Sequence, residues 1–193
     1  NGVDVSYFDE KKVIKEIPPR ILYHGDYKWM QNVEAVNILI KDIWPIVKKE
    51  VKNSKLWISG RSIPEKIIEL TKNDKDIEIS ESVKDNRDVF KAASVLVVPI
   101  MSPGGTRLKV LEAMAAGLPV VSTPVGVAGL GIVSGVHALV SSDVTELAKM
   151  TTRILKDKEV SDNISNAGKQ FVKENFDWKS IVGKLNDVYE KAK

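Results

Sequence analysis

Two rhythms of apolar residues alternate along this chain. Short runs rich in apolar and β-branched residues span Arg20 to His24, Lys55 to Ser59, Asp76 to Ser80, Val95 to Ile100, Val120 to Thr123 and Val136 to Val140. They read as strands, and the wholly apolar run ahead of Met101 reads as one buried on both faces. Between them the spacing turns helical. Asn32 is placed to cap a helix carrying Val36, Ile40, Ile43 and Val47, and Pro45 is expected to cut it and open a second piece as its first residue. Further helices are predicted over Glu65 to Lys72, from an Asp85 or Asn86 cap to Ala93, and over Thr106 to Ala116. Three more close the chain. Asp143 with Glu146 forms a capping-box pattern ahead of Leu147, Ala148, Thr151 and Ile154; Val160, Ile164, Phe171 and Val172 follow; Asp177 caps a last helix striped by Trp178, Ile181, Val182, Leu185 and Tyr189. Strands alternating with helices predict an α/β domain with a parallel sheet of about six strands.

The 193 residues suffice for one domain, and 43% apolar with 28% charged content is that of an ordinary globule. A net charge of +3 gives no argument for nucleic acid and mildly favours anionic ligands or an anionic lipid surface. The absence of cysteine removes disulfides and thiolate chemistry and fits a reducing cytoplasm. No apolar run approaches the roughly 18 residues of a membrane span. Asn1 to Pro19 reads as an arm rather than an element: Asn1-Gly2-Val3-Asp4 is turn chemistry, and Pro18-Pro19 stiffens the entry.

The chemistry concentrates between residues 94 and 124. Pro103, Gly104 and Gly105 break the chain after a buried strand, a helix follows, and Gly117 with Pro119 ends it before the next strand. On that helix Leu108, Val110, Leu111, Met114 and Ala115 cover an apolar arc, while Lys109 and Glu112 share the other side. Free N–H groups at 105 to 108, the helix dipole and Lys109 together make an anion site. Glu112 can accept two ribose hydroxyls. The competing reading is an ordinary i,i+3 surface ion pair. Ligands of parallel sheets bind beyond the carboxyl ends of the strands. Those ends are Gly25-Asp26, Gly60-Arg61, Val83-Lys84 and Met101 to Thr106.

The segment Pro-Gly-Gly-Thr-Arg-Leu-Lys-Val-Leu-Glu-Ala-Met-Ala-Ala-Gly-Leu-Pro-Val-Val-Ser-Thr resembles the donor site of family 4 glycosyltransferases of the GT-B type. Gly60-Arg61-Ser62, Val83-Lys84-Asp85, Pro124-Val125-Gly126 and Phe176-Asp177-Trp178 fall in that family's order, so the resemblance covers nearly the whole chain. It implies a Rossmann-like three-layer domain, the carboxyl-terminal half of a GT-B fold. Residues 1–19 would be the interdomain linker, 20–175 the donor-nucleotide domain and 176–193 a crossover helix. It further implies retaining, metal-independent sugar transfer with no cofactor beyond the nucleotide sugar, in glycan, polysaccharide or glycolipid synthesis. An amino-terminal acceptor domain would be the partner, in the cytoplasm, with peripheral contact at the inner face of the membrane through that domain. Lys109 and Glu112 would be catalytic. Gly25, Arg61, Val83, Gly104, Gly105, Thr106, Arg107 and Leu108 would join them in binding the donor. A sugar-nucleotide epimerase of the same architecture and a non-catalytic nucleotide-binding module are the alternatives.

Two departures from that family's pattern stand out. Many members pair two glutamates eight residues apart, and counting back from Glu112 lands on Gly104, whose backbone N–H would stand in. Many carry an arginine after the first strand, where this chain has Gly25-Asp26-Tyr27-Lys28, leaving Lys109 the main phosphate neutraliser with Arg107, Arg61 or Lys28 as helpers. Asp74-Lys75-Asp76 lies before a strand and reads as a polar turn rather than a metal site; His24 and His137 read as structural, although His24 ends a strand on the donor side.

Overall fold

A computed structural model describes residues 1–10, 18–81, 83–105 and 107–183. Thr106, Ser82, and Leu185 and Tyr189 of the last stripe therefore lie outside the described residues. Six parallel strands form one sheet in the order β3-β2-β1-β4-β5-β6: β1 Arg20–Asp26, β2 Lys55–Arg61, β3 Ile77–Glu81, β4 Val95–Val98, β5 Val120–Ser122 and β6 Leu139–Val140. The order reverses between β1 and β4, which is where parallel sheets open a ligand crevice. All four residues of β4 are buried, as a doubly covered strand requires. Helices α2 (Met30–Ile38), α3 (Trp44–Glu50), α4 (Glu65–Thr71) and α7 (Val144–Lys156) pack on one side. On the other lie α1 (Val5–Asp9), α5 (Asn86–Ala92), α6 (Leu108–Ala115) and α8 (Lys158–Asn175).

Where element boundaries move, backbone chemistry moves them. Pro45 does not cut its helix. A π turn over Leu39–Ile43 joins α2 to α3 without a break, and Pro45 is the second residue of α3. The wider turn accommodates a ring that would otherwise strike the preceding carbonyl. Asn32 is no cap either: Trp29 takes that position and Asn32 is buried one turn in. β6 is shorter than expected because Val133 to Ala138 closes a tight turn, with Gly135 N–H donating to Ala138 O (2.8 Å) and Val133 N–H to His137 Nδ1 (3.2 Å). β4 stops at Val98, since Pro99 has no N–H to pair.

Within the predicted arm, residues 3–9 form a docked element, while residues 11–17 lie outside the described residues. Asp4 caps α1 through Tyr7 N–H (3.0 Å) and buries Val5 and Phe8. Val3 pairs in parallel with Asp177: Val3 N–H donates to Phe176 O (2.8 Å) and Trp178 N–H to Val3 O (3.2 Å). The Arg87 guanidinium lies 3.7 Å over the Tyr7 ring and donates to Tyr7 O (3.1 Å). Residues 178 to 183 are helical, with Asp177 Oδ1 accepting from Lys179 N–H (2.8 Å) and its Oδ2 accepting from Val5 N–H (3.1 Å). No helix of the described residues is long and apolar enough to cross a membrane.

One register pair decides how deep the crevice is. Gly25 of β1 and Gly60 of β2 are partners, and a Cβ on Gly60, whose φ is +140°, would overlap Gly25 O. Gly60→Ala should therefore cost about 3 kcal/mol or more of stability, a backbone clash that no rotamer relieves. Urea unfolding followed by circular dichroism would measure it.

Candidate functional site

Three depressions adjoin at the carboxyl edge of the sheet. The central one, about 430 Å³, is lined by Gly25, Arg61, Val83 and Lys109, with His24 and Asn86. A second, about 280 Å³, lies toward α2 between Trp29, Gln31, Gly104, Gly105, Arg107 and Lys109. The third, about 400 Å³, lies toward α1, where Leu108, Glu112 and Asn86 face Tyr7, Phe8 and Trp178. Lys109 is common to the first and second and Asn86 to the first and third, so the three form one trough. Each site residue predicted from sequence lines it, except Thr106, which lies outside the described residues.

Lys109 sits at the centre and is not half of a surface ion pair. Its Nζ donates to Asn32 Oδ1 (2.7 Å) and to Tyr23 OH (3.2 Å), and lies 4.4 Å over the Tyr23 ring. Tyr23 OH in turn donates to Asn32 Oδ1 (2.7 Å), and Asn32 Nδ2 donates to Asp26 O (2.6 Å). Gly25 makes the approach available: a Cβ there would stand 2.9 Å from Lys109 Nζ. Burial, helped by the nearby Arg107, pushes the Lys109 amine down to about 7, against a smaller opposing pull from Glu112. Burial also raises Glu112, and Lys109 partly offsets that. Among the described residues no carboxylate bonds this amine, and an anion entering the trough would supply the charge it lacks.

The glycine loop is shaped by a buried arginine. Arg107 donates from Nε to Val125 O (3.1 Å) and from its terminal NH1 to Gly104 O, so its guanidinium ties the loop down instead of reaching a ligand. Gly104 (φ +155°) and Gly105 (φ +62°) turn the chain out of helical space, and α6 begins at Leu108, later than the expected Thr106. Among the described residues no side chain caps that start, and Val110 and Leu111 N–H already go to Arg107 O. The helix end thus presents its partial positive charge to the trough uncapped. Leu108 departs from the expected apolar arc: it is 41% exposed and faces the third depression.

The remaining candidates separate. Arg61 is 75% exposed and paired to Asp26 (3.0 Å), so Asp26 takes up its charge at the rim. Lys28 is exposed and lines none of the three depressions. His24 contacts Ser59 Oγ (3.3 Å) and meets the Phe90 ring edge-on; burial, then Lys109, lowers it to about 4, so it is neutral at pH 7. Asp74 accepts from Trp44 Nε1 (2.9 Å) and Lys48 (2.6 Å), and Asp76 pairs with Lys48 and Lys55, all ahead of β3 and across the sheet from the trough. Among the described residues no group of acidic or histidine side chains is arranged to hold a metal. His137 stacks on Phe171 at 4.2 Å. Sequence reasoning missed Asn32 and Gln31. Asn32 left a signal: a polar residue four positions before Val36, on the stripe that otherwise faces the core.

Residues 18–157 match the family model described as glycosyl transferases group 1. The chain belongs to that family. A 44.6 kDa protein of the cps region of Klebsiella pneumoniae is 24% identical over 172 residues, covering 86% of this chain and 44% of that protein. A glycosyltransferase of Methanocaldococcus jannaschii is 30% identical over 103 residues, covering 52% of this chain and 29% of that one. Among solved structures, a Rickettsia africae glycosyltransferase superposes with TM-score 0.81 at 16% identity, over 99% of this chain and 55% of that one. Anabaena HepE, solved in complex with UDP and glucose, gives 0.76 at 14% identity over 99% and 56%. This chain spans less than half the length of the relatives matched by sequence.

Lys109 opposes folding while no anion is bound. Its folded pKa, about 7, lies below the ordinary lysine value, so its penalty is full below about pH 7 and fades as pH rises toward 10. Lys109→Met should stabilise the free domain by about 1 kcal/mol near pH 6.5, with less advantage at pH 9, because water in the trough already screens the charge. Thermal unfolding of both proteins across pH checks the sign.

Proposed function

We propose that this chain is the donor-binding half of a glycosyltransferase. It takes a nucleoside diphosphate sugar, and the sugar passes to an acceptor hydroxyl held by an amino-terminal domain, in the assembly of a glycan, polysaccharide or glycolipid. The observation that carries this reading is the placement of Lys109: a half-dehydrated amine shared by two depressions, beside an uncapped helix start, with Glu112 one turn on in the third. The diphosphate lies against Lys109 and the first N–H groups of α6. The nucleoside runs toward Glu112, which accepts ribose hydroxyls.

When the bond from the anomeric carbon to the phosphate oxygen breaks, the electron pair stays on that oxygen. The ammonium and the helix dipole stabilise the charge there without solvent reorganisation. We assign this role to Lys109 and α6 rather than to a divalent cation, and the transfer to the retaining class. Membership of the family, the cps-region relative and the UDP-bound Anabaena neighbour all support the reading. The cysteine-free composition supports a reducing, cytoplasmic setting.

Titration calorimetry against UDP-, GDP- and ADP-sugars tests it. One donor should bind, with the same affinity in EDTA as in magnesium or manganese. The ligand favours the ammonium form of a group that titrates near 7 in the free protein, so affinity holds below pH 7 and falls roughly tenfold or more by pH 8.5. Diester-type phosphates stay ionised across that range, so the slope reports on Lys109. Glu112→Ala should leave the fold intact and weaken the matching nucleoside diphosphate by about 1.5–3 kcal/mol. An unchanged affinity in that variant would remove Glu112 from the site.

A further inference from the structure

We propose that Gln31, with the Trp29 indole beside it, is the residue that reads the donor sugar. The inference rests on the reading of the trough given above. Both residues belong to the opening of α2, Trp29 as its cap position and Gln31 in its first turn. Both line the depression that Lys109 shares with the glycine loop.

Polarity along the trough places the sugar there. Glu112 stands in the depression on the α1 side of Lys109, where it accepts ribose hydroxyls. In a nucleoside diphosphate sugar the sugar is attached to the far side of the diphosphate from the nucleoside. With the diphosphate at Lys109, it enters the α2-side depression of about 280 Å³, which has room for one hexosyl unit.

What it meets there is an amide, not a carboxylate. No aspartate or glutamate is among the residues lining this depression. A Cβ on Gly104 would overlap Gln31 Nε2, so the Gln31 side chain occupies the space that a side chain at 104 would need. Gln31 Nε2 donates to Pro103 O (3.4 Å), which aims the amide at the loop, and among the described residues nothing donates to its Oε1. That oxygen is free to accept a sugar hydroxyl, and the second N–H is free to donate. Trp29 is 65% exposed at the rim and offers an aromatic face to the C–H side of a pyranose ring. Gly104 and Gln31 are therefore one device: the glycine clears the space, and the neutral amide from α2 fills it.

The test compares each nucleotide sugar with its parent diphosphate on the same protein. UDP-glucose, GDP-mannose and ADP-glucose, with UDP, GDP and ADP, are titrated into the parent chain and into Gln31→Ala, Gln31→Met and Trp29→Ala. Gln31→Met keeps the bulk against Gly104 while removing the polar atoms, and so controls for collapse of the loop. Both Gln31 variants should lose about fivefold to twentyfold in affinity for the bound nucleotide sugar, and less than twofold for its diphosphate. Trp29→Ala should show the same selectivity. Equal losses for the two ligands, or none for the sugar, would overturn the assignment while leaving the diphosphate site standing. Failure of the parent chain to bind any of the six ligands would instead remove the reading of the trough, and this inference with it.

Discussion

The trough depends on keeping one amine half out of water at the point where the strand order reverses. Among the described residues no carboxylate bonds Lys109; a tyrosine hydroxyl, an asparagine oxygen and an aromatic face hold it instead. Neutral partners fix the position of the charge without neutralising it, so the pull on an incoming anion is undiminished. A carboxylate in place of Asn32 would hold the amine more tightly and leave it less to give a ligand. The surrounding choices follow from this arrangement. Gly25 leaves space for the ammonium, Gly60 leaves space for Gly25 O, and Tyr23 must lie inside the sheet to reach Nζ.

The second constraint is the loop ahead of α6. A helix start attracts anions only if its N–H groups are unoccupied, yet a loop of glycines has no side chains to hold it open. Arg107 resolves the conflict from below: it is buried, and its guanidinium binds the carbonyls of Gly104 and Val125. The cation that looks from sequence like a phosphate ligand is spent on the backbone that receives the ligand. Arg61 is likewise spent on Asp26. Lys109 is therefore the main source of full positive charge within the trough, and electrostatic recognition there converges on a single side chain.

Much of this was legible in the chain. Six apolar runs gave six strands, and the parallel order follows from their alternation with helices. Asp85 and Asp143 cap helices through the N–H groups of Arg87 and Glu146, a pattern that side-chain chemistry dictates locally. What escaped was decided by tertiary neighbours. Pro45 reads as a breaker because a π turn is not a sequence signal. Asn32 reads as a cap because its true partners, Tyr23 and Lys109, lie 9 and 77 positions away. The start of the chain reads as an arm because Val3 finds its partner at Asp177, 174 positions on. Lys109 and Glu112 were visible as a pair on one helix face, but not that they look into different depressions.

That last point bears on how the nucleoside end is built. The depression holding Glu112 has one wall from α6 and another from Lys84, Asp85 and Asn86, but the rest comes from Gly2, Val3, Asp4, Tyr7 and Phe8 and from Trp178, segments far apart in sequence. Those segments are joined by the Val3–Asp177 bridge and by the Asp177 carboxylate, which accepts from both Val5 and Lys179. Arg87 then anchors α1 to the Asp85 turn that borders the same depression. A nucleoside seated beside Glu112 would touch a wall whose position depends on contacts remote from the diphosphate. The diphosphate end, by contrast, stands on the buried strands β1 and β4 and on Arg107. The two ends of the trough thus rest on different supports: one on the buried sheet, the other on the pairing of Val3 with Asp177.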